Sequence, residues 1–429
     1  MKKIMAICSI LFVMSAMLLV GCSSKDTSSS SANGVVKLKM ATWAGGDELK
    51  QMQSIVDKVN QANKKSYQVT LVSIPDNYYM KVQTQLSAGN APDLLWMSQE
   101  QIKPFILNGA LTPIDKYYKK SDISKIAIND QLMGAVTDNG KTYGLPWIAN
   151  PVILYYNKNI VDAADQATLE ATTKGQYITW DQFHTMAKKY TDIKNDKYGT
   201  VINGSPAMEN FIWSYGGEIQ KKDGTVAFDS PQSIAGIQKL ADFVVNDPIS
   251  PNQDVVNKVG YGETFQQGKT AFIFGGVADN MELISGKPAP YKVGYAVAPN
   301  GGTPATFNWS ASTVITKDCN NPEVAFKAMS DLTQEFWKWK SVPPVKDITQ
   351  LGYADYTDYL KKNSPQKADM AGALGESMKI ARIDNYGKNT AAVQTAQWEQ
   401  IYSPILSAAV TGKKVDVHKL VENAMAKVK

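Results

Sequence analysis

From Val35 to Gly109 the chain alternates strand-like runs with amphipathic helix-like ones, three of each, an order that dictates a sheet with helices packed on it. Val35 to Trp43 alternates and opens into Ala-Gly-Gly-Asp-Glu. Leu49 to Ala62 follows with Met52, Ile55, Val56 and Val59 on one helical face. Tyr67 to Ile74 is a second strand, and Tyr78 to Ala88 a second helix stopped at Gly89-Asn90. Asp93 to Met97 is almost wholly apolar, the pattern of a strand covered on both faces of a parallel sheet. Ile102 to Asn108 is a third helix, ended by Gly109.

Further along, Tyr143 to Tyr156 reads as two strands broken by Pro146 and Pro151. Thr179-Trp-Asp-Gln is a capped helix start, and Ser230 to Val245 is a helix after a Ser-Pro start. Ala271–Phe274 and Lys292–Ala298 are strands, and Asn321-Pro322-Glu323 begins a helix through Lys340. The tail, Thr390–Ala409 and Val417–Val428, is helical. No internal repeat is evident.

The first residues are an address. Lys2 and Lys3 precede an apolar run, Ile4 to Val20, that ends in Leu19-Val20-Gly21-Cys22. A basic head, a short apolar stretch and a small residue before the cut make an export signal over residues 1–21. The ending resembles the bacterial lipoprotein signal, which implies lipidation of Cys22 and a place on the extracellular face of the plasma membrane. Residues 22–34, Ser-rich and without a large apolar side chain, form a flexible tether.

About 395 residues remain, too many for one ordinary core and natural for two lobes. Beyond the signal no run approaches the roughly 18 apolar residues of a membrane span. Lysines and acids are interspersed, which leaves no basic stripe for nucleic acid. With Cys8 in the signal and Cys22 acylated, Cys319 is the last thiol, so no intrachain disulfide can form. It lies in a polar loop with no histidine near it in sequence and reads as a bystander. Forty-four lysines accompany one arginine, Arg382, which either marks a place needing a planar fork of donors or is retained by chance. His184 and His418 are far apart, form no metal or triad motif and read as surface residues. Gly262-Glu-Thr-Phe-Gln-Gln-Gly268-Lys-Thr fails as a phosphate loop, because five residues separate the glycines where four are required.

An ordered set of stretches carries a resemblance: Trp43-Ala-Gly-Gly-Asp-Glu, Pro92-Asp-Leu-Leu-Trp-Met, Gly109-Ala-Leu-Thr-Pro-Ile-Asp, Tyr143-Gly-Leu-Pro-Trp and Tyr155-Tyr-Asn-Lys. Thr179-Trp-Asp-Gln-Phe, Gly216-Gly-Glu, Phe265-Gln-Gln-Gly-Lys-Thr-Ala-Phe, Pro322-Glu-Val-Ala-Phe-Lys and Thr411-Gly-Lys complete it. In that order, behind a lipoprotein signal, they resemble the extracellular solute-binding proteins of ABC importers, in particular the sugar-binding group related to maltose-binding protein. The resemblance implies an α/β, two-lobed periplasmic-binding-protein type II fold with a hinge and an interlobe ligand cleft. It implies a first lobe of residues 35–145 and 309–343 and a second of 146–308 and 344–429. The expected partners are a sugar or oligosaccharide and the permease subunits. The chain is expected to be a monomer held at the membrane by its lipid alone, with no cofactor, metal or catalytic residue.

Sugars present flat C–H faces and a rim of hydroxyls, so a site needs aromatic plates and bidentate polar partners. Trp43, Asp47 and Glu48 follow the first strand, at the carboxyl edge where ligands sit in such sheets. Gln99 and Glu100 follow the buried third strand. Trp147 and Asn150 lie at one crossing between lobes, Trp309 and Ser310 at the other. Glu209, Trp213, Asp279, Asn280 and Tyr386 are the second-lobe candidates. Ala278 stands where the family often carries an aromatic plate, which leaves the sugar open. The rival readings are a surface glycoside hydrolase, for which no acid pair is marked as catalytic, and the same fold with a polyamine, peptide or iron ligand.

Overall fold

The computed structural model describes residues 34–202, 207–284, 287–339 and 342–428. The signal, Cys22 and the tether up to residue 33 lie outside the described residues. The strands are β1 (Val36–Thr42), β2 (Tyr67–Ser73), β3 (Leu94–Ser98), β4 (Thr137–Asp138), β5 (Lys141–Thr142), β6 (Gly144–Asn157), β7 (Phe272–Gly276), β8 (Leu283–Ile284), β9 (Lys287–Pro288), β10 (Val293–Val297), β11 (Thr306–Ile315) and β12 (Ala381–Arg382). Eight of them join one sheet in the order β10-β6-β11-β3-β1-β2, with β7 also on β6 and β12 also on β11. β4–β5 and β8–β9 are separate hairpins.

Two long strands organise this sheet. β6 pairs antiparallel with β11 through Gly144–Pro151, then with β7 and β10 through Val152–Asn157. β11 pairs with β3 through Ala311–Ile315 and, at its start, with β12. One end of each strand therefore belongs to the β1–β3 layer and the other to the β7–β10 layer. The sequence pattern predicts a break in the first of them at Pro146 and Pro151, yet β6 is one strand of 14 residues, all buried. Its prolines fall where the ladder is irregular or changes, the first of them at a bulge, where proline is tolerated. Pro146 sits where the β6–β11 register shifts, between Ala311 and Ser312, and Pro151 where β6 changes partners.

Burial follows the two-residue period of the strands. Leu94 and Trp96 of β3 enter one apolar cluster, Leu95 and Met97 another. Likewise Val152, Leu154 and Tyr156 of β6 face one core, Ile153 and Tyr155 its neighbour. The Gly46–Ala62 helix lays Met52, Val56 and Val59 on the sheet. It starts three residues before the apolar pattern does, which places Asp47 and Glu48 in its first turn, where the helix dipole favours acids. The helix expected over Ser230–Val245 is α-helical only over Pro231–Ala241 and widens into a π turn at Asp242–Asn246.

His184 departs from its expected surface position. Its ring stacks on Phe243 at 4.6 Å and its Nε2 lies 3.0 Å from the Asp247 carbonyl oxygen. His418 is exposed. Cys319 is half-buried beside Asp93, and burial pushes its thiol up to about 12, which leaves it without the thiolate that reactivity requires.

At Thr179 the structure forms the full capping box: its hydroxyl accepts from the Gln182 backbone, and the Gln182 side chain accepts from the Thr179 N–H. Thr179→Ala is expected to lower unfolding stability by about 1 kcal/mol in urea titration, the usual worth of such a cap.

Candidate functional site

Because residues opposite each other in a ladder share a face, the β6–β11 register brings Asn150 directly beside Trp309. Trp147 joins them at the register shift. Trp43 arrives from the end of β1 and Glu48 from the helix that follows. Gly276, Ala278 and Asp279 come from the loop that ends β7. These side chains, with Ile148, Val152 and Phe307, line a cleft of about 350 Å³. Six sequence candidates thus meet: Trp43, Glu48, Trp147, Asn150, Asp279 and Trp309.

The indoles form a supported series. Trp43 meets Trp309 edge-on at 6.4 Å and Trp96 at 5.3 Å. Trp96, fully buried, stacks on Trp147 at 4.3 Å and has Phe336 behind it at 5.4 Å. The exposed edge of this series is therefore braced by the core of the first layer. On the polar side, Asn150 donates through Nδ2 to Asp279 Oδ1 at 3.3 Å and accepts from the Ala278 N–H at 2.8 Å. The Gly276 N–H donates to Asp279 Oδ2 at 2.7 Å. Asn150's own N–H donates to Asn308 Oδ1 at 2.9 Å. Asp279 looks into the open cleft with protein on its other sides, and that desolvation raises its pKa. Lys367, buried, donates to the Val277 carbonyl and holds the same loop from behind.

Next to this chamber is a wider opening of about 840 Å³. Lys103 and the Asp130–Ala135 helix line it from the first layer; Glu218, Lys221, Lys222 and the 379–386 segment line it from the second. Here hydrogen bonds cross between the layers: Gln99 Nε2 donates to the Tyr386 hydroxyl at 3.0 Å, and the Ile383 N–H donates to Gln131 Oε1 at 3.1 Å. Arg382 donates to Glu218 Oε2 at 2.7 Å with its guanidinium 4.5 Å over the Trp213 ring. Burial raises the pKa values of Glu100 and Glu209. Burial also pushes Asp384 up to about 7; Glu209 and Glu218 act the same way, and the Asn385 N–H and Arg382 oppose them.

The other candidates are placed differently. Asp47 is exposed and pairs with Lys50 at 2.9 Å, away from the cleft lining. Trp213 is fully buried, with its ring between Phe307 and Arg382, so it offers no free face. Ser310 is buried and donates to the Ile148 carbonyl at 2.7 Å, a tie between the crossing strands. Asn280 takes a left-handed turn at φ 53° and lines neither opening. Gln99 is buried and engaged with Tyr386; Glu100 accepts from the Ser98 hydroxyl. Glu209 begins the Ala207–Ser214 helix near Asp384. Tyr386 lines the wider opening. Sequence reasoning missed Phe307 and Asp384, although each lies two positions from a residue it had singled out, Trp309 and Arg382.

Two α/β layers hinged on shared strands, with an aromatic and polar cleft between them, define a two-lobed solute-binding protein. A family model described as bacterial extracellular solute-binding protein matches residues 45–335, and the chain belongs to that family. A maltooligosaccharide ABC transporter solute-binding lipoprotein of Streptococcus pneumoniae (strain ATCC BAA-255 / R6) is 25% identical over 426 residues, covering 94% of this chain and 91% of its own length. Among solved structures, an ABC substrate-binding protein from Listeria monocytogenes in complex with cycloalternan is similar with a TM-score of 0.73 at 22% identity, over 91% of this chain and 97% of its own. An ABC transporter solute-binding protein from Thermotoga lettingae bound with α-D-tagatose gives 0.70 at 22%, over 91% and 98%. At those identities the two structures bear on the fold alone.

Asp384 gives this site a pH dependence with a fixed sign. Its folded pKa of about 7 lies above its ordinary 3.8, so the folded state holds its proton more firmly between those values. The associated stability is whole below about 4 and is lost as pH rises through about 7. Asp384→Asn is expected to flatten the decline of melting temperature across that window, followed by calorimetry at constant ionic strength. An unaltered slope would remove Asp384 as its source.

Proposed function

We propose that this protein captures a sugar or oligosaccharide between its lobes and delivers it to the permease of an ABC importer, as a receptor and not as an enzyme. The observation that carries the reading is the chamber at the crossing strands, where the indoles of Trp43, Trp147 and Trp309 face the carboxylates and amide of Glu48, Asp279 and Asn150. Aromatic faces suit the C–H side of a pyranose, and fixed carboxylates suit its hydroxyls. The names of the relatives, a maltooligosaccharide lipoprotein among them, support the same class of ligand.

A micromolar affinity needs about 8 kcal/mol. Three or four hydrogen bonds to charged groups, roughly 1.5–3 kcal/mol each before ordering costs, and two aromatic plates supply it. The lobes divide at the crossings, with residues 35–145 and 309–343 in one and 146–308 and 344–429 in the other. A ligand that touches both binds the closed arrangement better and so populates it. Cys22 carries the lipid that keeps the receptor, a monomer, beside its permease on the outer face of the membrane.

Trp309→Ala is expected to weaken saccharide binding at least tenfold in isothermal titration with little change in melting temperature; an unchanged dissociation constant would remove Trp309 from the site. The same mixtures should contain intact sugar after prolonged incubation, since released products would mean an enzyme. Cys22→Ser is expected to move the protein from the membrane fraction to the medium, read by fractionation of the producing cells.

A further inference from the structure

We propose that Lys367, with Glu282 as its buried counter-charge, is a positioning residue for ligand capture: from behind the 276–282 loop the pair fixes the turn that presents Asp279 to the cleft. This rests on the carbohydrate reading above and adds to it two residues that line neither opening.

Asp279 stands at the end of a chain of support. Its side chain is exposed toward the cleft. Asn150 and the Gly276 N–H each engage one of its oxygens, at 3.3 and 2.7 Å. A carboxylate has about four acceptor positions, so about half of them remain for the hydroxyls of a ligand. Their direction is set by the loop backbone. The Val277 N–H donates to the Pro151 carbonyl at 3.3 Å, and the Asp279 N–H closes on the Gly276 carbonyl at 2.9 Å. The Tyr155 hydroxyl donates to that same carbonyl at 2.9 Å. Between these two anchors the Val277 carbonyl takes its hydrogen bond from the Lys367 ammonium, which comes from the short Pro365–Met370 helix.

Both charges of the pair are out of water: Lys367 is 3% exposed and Glu282 7%. Neither Glu282 oxygen has a hydrogen-bond partner, and burial raises its pKa while the Lys367 charge opposes that rise. Burial raises Asp279 too, against the Gly276 N–H, the Asn150 amide and the same Lys367 charge. One ammonium therefore serves two carboxylates, one beneath the loop and one at its open face. An apolar pair of the same volume would hold a loop at least as stably, because desolvating two charges is costly. A cation has a use here that methylene groups lack, since the group to be held is itself an anion. Buried charge of this kind gathers where function uses it.

The neighbouring groups leave that role to Lys367. Glu48 faces Asp279 in the chamber lining. Tyr155 and Tyr261 approach from β6 and from the Tyr261–Gln266 helix, and burial pushes both phenols up, so they stay neutral. Asp369, on the same short helix as Lys367, acts with Glu282 on Tyr295 of β10.

The experiment is isothermal titration of the whole mature protein between about pH 4 and about pH 8, a span that covers carboxylate ionisation. The probe is the tightest binder among the mono-, di- and trisaccharides of glucose, galactose and mannose. Lys367→Met keeps the stem and removes the ammonium. It is expected to weaken binding at neutral pH at least about tenfold, as loss of a hydrogen bond from a charged group does. In an Asp279→Asn background the same change should weaken it less than about twofold, because the group it positions is gone.

The acid side of the affinity profile gives a second readout. Removing the cation raises the Asp279 pKa, so in Lys367→Met the midpoint of the acid loss moves to higher pH. Glu282→Gln removes an anion and moves it to lower pH, each displacement being roughly half a unit or more. Loosened packing would not drive the two variants in opposite directions. The double variant, Lys367→Met with Glu282→Gln, leaves no unpaired buried charge and serves where a single variant fails to fold. It should bind weakly with a midpoint near that of the wild type. A Lys367→Met loss undiminished in the Asp279→Asn background, or midpoints that move together or not at all, overturns the positioning role and leaves the receptor reading standing. Failure of every saccharide to bind the wild type overturns the receptor reading, and the positioning role with it.

Discussion

The antiparallel ladder between Gly144–Pro151 and Asn308–Val314 is the constraint on which the rest of the structure depends. Buried backbone groups must be paired, so these two strands hold each other in register and any relative motion of the layers must turn about them. The same ladder builds the cleft floor. It sets Trp309 beside Asn150 and carries Phe307 to the edge where β12 adds Arg382. Smaller ties reinforce it: Ser310 to the Ile148 carbonyl, Thr306 to the Val152 carbonyl, and the Trp337 indole to the Pro146 carbonyl. The last of these gives work to a carbonyl at the very point where proline interrupts the donors.

Around that floor the cleft divides by chemistry. One part is indole and amide, braced by the Trp96–Trp147 stack and by the hydrogen-bonded Asn150–Asp279 pair. The other carries charge of both signs, with Lys103, Lys221 and Lys222 beside Glu218, an Asp384 whose pKa burial raises, and an arginine pressed on a tryptophan. Desolvated carboxylates near one another resist full ionisation.

Much of the architecture was legible because its causes are local. The apolar run at 94–97 announced a strand covered on both faces, and the Thr179–Gln182 pair announced a helix start that the structure reproduces as a capping box. Where proline was the guide, the reading failed: Pro146 and Pro151 are permitted inside β6 only because a register shift and a change of partner fall at those positions. The site shows the same division. Trp309 and Asn150 were legible from their place at the crossings. Trp213 was misjudged because only packing decides which face of the Ala207–Ser214 helix turns to the core, and Arg382 covers what remained. The planar fork suspected at Arg382 has its partner in Glu218, 164 residues away, which no local pattern could supply.

By itself the sequence determined the alternation of strands and helices and the supply of indoles and acids. Periodicity, capping and composition act over a few residues and need no partner from elsewhere. Only the tertiary structure decided that the two crossings are neighbouring strands, that six of the candidates share one chamber, and that a second, charged opening adjoins it. Those facts depend on strand register and on which buried face meets which. Both are set by long-range pairing, and a one-residue slip in it would turn every side chain of the floor to the opposite face.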